Sequence, residues 1–522
     1  MKLILDSADV DFNQAFKLLF GKDDSREIEF SSNLSSRVLS SHNNFKNWFD
    51  KKIPLYGINT GFGDSCHRTI DNEQSKKLQD NLISYLLMGT GKLLTEEVGR
   101  SILFFRIVSL SRGYSGISME LLEKMKELFN KGIYPVIPRE GSLGASGDLI
   151  PLAYIGENLR GQGDAYYKGE IVQMEDLVSK GLYSAYELGP KEGLAIVNGT
   201  SAMVGLCFYN YSLAYKLVEL AETSTSWLTL AIGGRTEAFG PLVNSQSKRF
   251  EGQGTAAKNI LSLLDQENYK ADSYDSIESV DGKTSHFVQD PYSLRCASQV
   301  LGPIKDTLSM IKSWVQEELN GASDNPLFDQ EDGLANGGNF YGGYLSHSMD
   351  YLKICMGNLA DLLDRQLTLL INDKTNRGLP PNLANWDNDN LEDNHLNHGL
   401  KGVHQNVSAV TSEIMALCIP NSIFSRSSES HNQDKVSLGM SGATQCFDQL
   451  EKVTSVVSSY LLCLCQALDL KKIELKGSSS RELYAKVREE SAFVAKDRRL
   501  DRDVAKLNKM LLSEAFEGNL NV

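Results

Sequence analysis

No Cys-x-x-Cys pair occurs among the eight cysteines of this 522-residue chain, which stand at positions 66, 207, 296, 355, 418, 446, 463 and 465. Several lie in apolar runs, so they read as reduced, buried small hydrophobes of a cytoplasmic protein rather than a disulfide framework. A metal signature is also missing. His395, His398, His404 and His431 form no His-Glu-x-x-His pattern and have no cysteine support, so surface or structural roles are expected and no metal. Basic charge is short, with 53 Lys and Arg against 67 Asp and Glu, a formal net charge of −14. An acidic chain repels phosphate backbones, which argues against nucleic acid as a partner. The apolar start, Met1-Lys-Leu-Ile-Leu5, gives way at once to Asp6, Asp9 and Asp11. That stretch is too short for a signal peptide or a span, and no other segment reads as long and uncharged enough to cross a bilayer, so no membrane association is expected. Pro/Ser-rich linkers, low-complexity tracts and internal repeats are absent too.

What is present is ordinary globular composition, 41% hydrophobic and 23% charged, with a length that suits two or three domains. Leu345, Met349, Leu352, Met356, Leu359, Leu363, Leu367 and Leu370 recur at spacings of three and four. They predict one apolar seam along a long helix. Ile354, Leu362 and Leu369 make its other side partly apolar, so it is expected to pack on more than one neighbour. Segments 201–233, 303–320, 403–418 and 443–470 carry similar patterns, and a hairpin is expected near 164–173. The fold class is mainly α: an N-terminal domain over 1–200 bearing glycine-rich loops, then a bundle of long antiparallel helices over 201–522.

Chemistry concentrates in Gly141-Ser-Leu-Gly-Ala-Ser-Gly-Asp-Leu149. Three glycines in seven residues give a backbone that turns tightly and visits positive φ. By residue type alone this is an anion cradle or a helix cap, but no Gly-Lys-Ser/Thr follows it, so a phosphate loop is not supported. Gly252-Gln-Gly254 begins like a dinucleotide fingerprint, yet Ala257 stands at the third glycine and no strand precedes it, so no nucleotide is expected. The acid-base run Lys486 to Arg502 reads as a solvated helix face.

Gly144-Ala-Ser-Gly-Asp-Leu149 resembles the cofactor loop of the histidine, phenylalanine and tyrosine ammonia-lyases. The resemblance recurs in order along the chain. It takes in Tyr56-Gly-Ile-Asn-Thr-Gly-Phe-Gly63, Asn198-Gly-Thr200, Gln289-Asp-Pro-Tyr-Ser-Leu-Arg-Cys296, Ser323-Asp-Asn-Pro326, Gly338-Asn-Phe340 and His431-Asn-Gln-Asp-Lys-Val-Ser-Leu-Gly439. It implies that Ala145, Ser146 and Gly147 cyclise unaided into a 4-methylidene-imidazol-5-one. The Gly147 amide nitrogen attacks the Ala145 carbonyl carbon and two waters leave, one with the Ser146 hydroxyl. Glycine offers no Cβ to hinder attack, serine supplies the oxygen that departs, and a compressed turn brings the two atoms together.

The reaction that the resemblance implies removes a weakly acidic β-proton and expels ammonia from an aromatic amino acid. Tyr56, in the family's mobile tyrosine loop, would be the base, and its phenol must then be pulled below the ordinary value near about 10 by dipoles or cations. Arg295 would clamp the substrate carboxylate as a bidentate fork, on one helical face with Tyr292. Tyr292, Asn198 and Gln289 would position the amine and the cofactor oxygen, with Phe340 beside the ring or cofactor. Gly63, Tyr85, Leu149, Asn432 and Gln433 complete the expected substrate contacts. Helix N-termini after 145–149 and 198–200 would add partial positive charge. The resemblance also implies a homotetramer whose sites draw on three subunits.

Selectivity rests on Ser84-Tyr85, where histidine- and tyrosine-specific members carry histidine in second place and phenylalanine-specific members carry phenylalanine. Asn432-Gln433 is followed by Asp434 rather than by the glutamate of histidine-specific members. Tyr85 matches none of these patterns: its phenol can pair with a para-hydroxyl or equally fill space against an unsubstituted ring, with Leu149 on the other side, and tyrosine is expected first, phenylalanine next and histidine third. An aminomutase with the same cofactor, and a non-catalytic structural member, stay open.

Overall fold

The computed structural model describes residues 1–6, 8–21, 26–272, 274–284, 287–386 and 391–516, apart from the side chains at 391 and 393. The protein is mainly α, with long helices at Ser201–Ile232, Ala297–Leu319, Gly343–Ile371, Lys401–Ala416 and Gly439–Leu470. Helix 201–232 carries only three charged residues, Lys216, Glu219 and Glu222, and a helix that is apolar nearly all round must be enclosed. It packs on helices 439–470, 343–371 and 297–319, and on Glu96–Ser111 from the N-terminal part. One continuous apolar core runs from Leu3 to Phe516 through these contacts.

All eight seam residues of helix 343–371 are fully buried. Of its other apolar side, Leu362 and Leu369 are buried, while Ile354 is exposed with Tyr344 and Tyr351. The predicted hairpin is Asp164–Tyr167 against Glu170–Gln173, with Ile133–Pro135 as a third strand. Lys168 and Gly169 at its turn both have positive φ, the geometry a two-residue hairpin needs.

Several expectations are corrected. Helix 297–319 starts earlier than its pattern and contains Pro303. The Lys486–Arg502 run is divided between helix Ser478–Glu490 and a helix that starts at Asp501. Cys66 is exposed rather than buried. Helix 439–470 is long and apolar enough, by length and composition, to cross a membrane, although most of that stretch is buried in the bundle.

Candidate active site

The glycine loop lies where the long helices begin. Ser437 and Leu438 donate backbone hydrogen bonds to Gly144 and Leu143 at 3.2 and 3.1 Å, so the entrance to helix 439–470 grips the loop. Gly141, Gly144 and Gly147 all take positive φ, 133°, 65° and 71°. At Gly147 no other residue fits, because a Cβ would lie 2.1 Å from the Gly199 carbonyl oxygen. The next amide, Asp148 N, donates to that same oxygen at 2.8 Å. The 145–147 and 198–200 loops are thereby held in register.

Asp148 is fully buried, accepting from Met203 N at 2.7 Å and from the Ser142 hydroxyl at 2.9 Å. Burial pushes its carboxyl up to about 7, against the pull of these donors and of Arg106. The first-turn amide of helix 201–232 thus serves Asp148. That differs from the expectation that this N-terminus points at the site.

A cavity of about 390 Å³ opens over Ala145 and Ser146. Tyr56, Gly63, Tyr85, Leu149, Asn198, Phe340, Asn432 and Gln433 all line it. The Gln433 side-chain amide donates to the Ser146 hydroxyl at 3.3 Å. Asn198 is buried and held three ways: its backbone N–H donates to Leu194, its carbonyl accepts from Arg106, and its Nδ2 donates to the Asn325 carbonyl, each at 2.9 Å. A carbonyl only accepts, so the amide must turn Nδ2 toward Asn325. That leaves Oδ1 buried, with no partner among the described residues, as a spare acceptor.

Arg106 is itself fully buried and reaches the carbonyls of Ala195 and Asn198. Burial lowers its guanidinium to about 10 while Asp324 and Asp148 hold it up. Asp324 is paired with the buried Lys191 at 2.6 Å, so the turn carrying Asn198 rests on compensated buried charges.

The Tyr56 hydroxyl accepts from Gly63 N at 3.0 Å, folding the loop back on itself. Burial raises the Tyr56 phenol, the Gly63 amide pulls it down, and Glu429 pushes it up again, with a net rise. The lowering required of a base is therefore not supplied within one chain. Tyr85, although 56% exposed, is pushed up to about 12 by burial, by Glu429 and by Tyr56, so its phenol is neutral.

Glu429 was not anticipated, since its Ser-Glu-Ser setting precedes the recognised motif and carries no chemical pattern. Its carboxylate lies against Gly63, where a Cβ would come within 2.0 Å of both oxygens. Among the described residues it forms no ion pair. Gln289, Tyr292 and Arg295 do not reach the cavity. Tyr292 is 72% exposed and starts a four-residue helix that ends at Arg295, whose guanidinium stacks 4.5 Å from the Tyr292 ring. Among the described residues no group of three or more His, Cys, Asp or Glu could hold a metal ion.

The chain is mainly helical, with an Ala-Ser-Gly turn at the ends of its long helices facing a pocket of phenols and amides, and its similarities place it among the carbon–nitrogen lyases. The family model for aromatic amino acid lyase matches residues 13–489, and the chain belongs to that family. Histidine ammonia-lyase of Natranaerobius thermophilus is 34% identical over 492 residues, covering 93% of this chain and 92% of that protein. Tyrosine 2,3-aminomutase of Chondromyces crocatus is 34% identical over 470 residues, 88% and 87% of the two chains. The structure of Pantoea agglomerans phenylalanine aminomutase superposes with a TM-score of 0.90 at 32% identity, covering 98% of this chain and 99% of that one. These names carry three rings and two fates for the nitrogen.

Proposed function

We propose that the chain is a tyrosine ammonia-lyase, converting L-tyrosine to para-coumarate and ammonia. The supporting observation is Tyr85, a protonated phenol that lines the cavity beside Glu429. A para-hydroxyl can pair there, a contact that a bare phenyl ring cannot make. Leu149 offers the ring an apolar wall.

The cofactor in this reading is the 4-methylidene-imidazol-5-one formed from Ala145, Ser146 and Gly147, with no metal and no nucleotide. Those residues fit it: Gly147 has no room for a side chain, and the Ser146 hydroxyl faces Gln433 in the cavity. The group would supply an electrophilic carbon for the amino nitrogen, which would make it a better leaving group. The chain's own residues do the rest. Asn198 Oδ1 and Glu429 draw in the ammonium, the Glu429 carboxylate takes the proton whose loss frees the nitrogen lone pair, and Tyr56 takes the β-proton. Phe340, Asn432 and Gln433 close the cavity around cofactor and substrate.

Gln289, Tyr292 and Arg295 reach this cavity from neighbouring copies in a homotetramer whose sites are shared. The exposed Gln289 and Tyr292, with Arg295 half-buried beside them, and the exposed Tyr344, Tyr351 and Ile354 stripe support that assembly. Arg295 of a neighbour clamps the carboxylate and brings the positive charge that lowers the Tyr56 phenol. All eight thiols are free, which suits a cytoplasmic setting. The histidine and phenylalanine reactions, or an aminomutase that retains the ammonia, are the alternatives, favoured by the relatives' names; Asp434 after Gln433 speaks against histidine.

The test is an absorbance assay of purified protein with tyrosine, phenylalanine and histidine, following the conjugated acrylate. The highest kcat/KM is expected with tyrosine. A higher value with another ring, or a β-amino acid as the main product, would overturn the assignment.

A further inference from the structure

Gln79 belongs to none of the motifs above, yet it joins two of them. It lies in helix Ser75–Leu86, six residues before Tyr85, and is fully buried. Its Nε2 donates to the Gly57 carbonyl at 3.0 Å, and its Oε1 accepts from Leu194 N at 2.8 Å. Both partners matter to the site. Gly57 follows Tyr56 directly, and its own amide is fixed by the Thr60 hydroxyl at 3.0 Å. Leu194 lines the cavity, and its carbonyl accepts from Asn198 N at 2.9 Å. One amide side chain therefore connects Tyr56 through Gly57 to Asn198 through Leu194.

The backbone is built for this contact. A Cβ at Gly193 would lie 2.8 Å from Gln79 Cβ, and one at Gly57 would lie 2.6 Å from Leu194 Cδ2. The two glycines allow helix 75–86, the tyrosine loop and helix Glu192–Val197 to close on one another. Leu194 N is also a first-turn amide, which has no partner within its own helix. Removing Gln79 would leave that donor and the Gly57 acceptor buried and unmatched.

We infer that Gln79 is a positioning residue that fixes the spacing between the base Tyr56 and the amine acceptor Asn198. The inference rests on the function proposed above. Elimination needs the β-proton and the amino nitrogen of one substrate held at a set separation, and Gln79 sets the separation of the groups that receive them. Leucine at 79 has similar bulk and neither bond. Glutamate restores both bonds only when protonated, because a carboxylate cannot donate to the Gly57 carbonyl.

The test compares the parent full-length enzyme with Gln79→Leu and Gln79→Glu. The readouts are thermal unfolding, near-ultraviolet cofactor absorbance, kcat and KM, and the kinetic isotope effect with β-deuterated substrate. Gln79→Leu should keep the cofactor absorbance and unfold cooperatively. Its kcat should fall about 100-fold, the scale of a small misplacement of reacting groups, with KM little changed and the isotope effect increased. Gln79→Glu should recover toward the parent's kcat as pH falls. Parent-like kcat and isotope effect in Gln79→Leu would overturn the inference. If that variant does not fold, a pH-independent ratio of Gln79→Glu to parent would overturn it. A parent enzyme silent toward every aromatic amino acid would instead overturn the proposed function.

Discussion

The Tyr56–Gly63 loop and the Gln289–Arg295 segment carry the two groups assigned to proton removal and carboxylate binding; both groups are half-buried, but the residues around them are displayed in opposite ways. Gly57, Ile58, Asn59 and Thr60 are buried. Asn59 accepts from Leu55 N at 2.7 Å and donates to Ile53, which fixes the loop's stem. Gln289 and Tyr292 instead lie exposed on the surface. Yet their segment is anchored from beneath by Asp290, which is buried, accepts from Arg235 N at 2.7 Å and pairs with Arg377. One region sets its half-buried base among buried backbone, and the other carries a half-buried Arg295 beside exposed neighbours on a braced segment. In the proposed mechanism one chain therefore supplies the electrophile and base, and a neighbour supplies the cation.

The contrast can be broken most forcefully by mixing variants. Ser146→Ala alone should show no turnover, and Arg295→Ala alone should lose about 10- to 100-fold in kcat/KM, the worth of hydrogen bonds to a charged group. Co-expressed, the two should form mixed assemblies with more activity than either alone. Additive activities would mean that Arg295 serves its own chain. A smaller effect is expected at the ring. Tyr85→Phe should move the tyrosine-to-phenylalanine ratio of kcat/KM about tenfold toward phenylalanine, and an unmoved ratio would show that Tyr85 does not read the ring.

A further effect, on stability rather than turnover, concerns the inward region alone. Asp148 is raised from 3.8 to about 7, so the folded chain keeps a proton that the unfolded chain releases in that interval. More protons bound in the folded state means stability falls as pH rises from about 4 to about 7. Denaturant midpoints should show that slope in the parent and a flatter one in Asp148→Asn. Equal slopes would remove Asp148 from the account.

The long helices were legible because an apolar seam such as Leu345–Leu370 forces a helical period whatever its neighbours do. The inward region was legible for a different reason. In the proposed function Gly147 and Ser146 take part in a covalent rearrangement, which ties residue type to chemistry and makes the motif readable in the sequence. Glu429 was not legible, because a lone carboxylate acquires meaning only when folding lays it against Gly63. Nor was the use of helix 201–232 by Asp148, which depends on two loops meeting in register at Gly199. Periodicity finds packing and motifs find chemistry, but side chains that connect one motif to another, such as Gln79, follow neither rule.

The most direct measurement is the intact mass of the purified parent protein beside Ser146→Ala. The account predicts a parent lighter than its sequence by two waters, localised to the peptide containing 145–147, and a variant at its full sequence mass. A parent at full sequence mass would contradict the central claim that this chain forms its own electrophile.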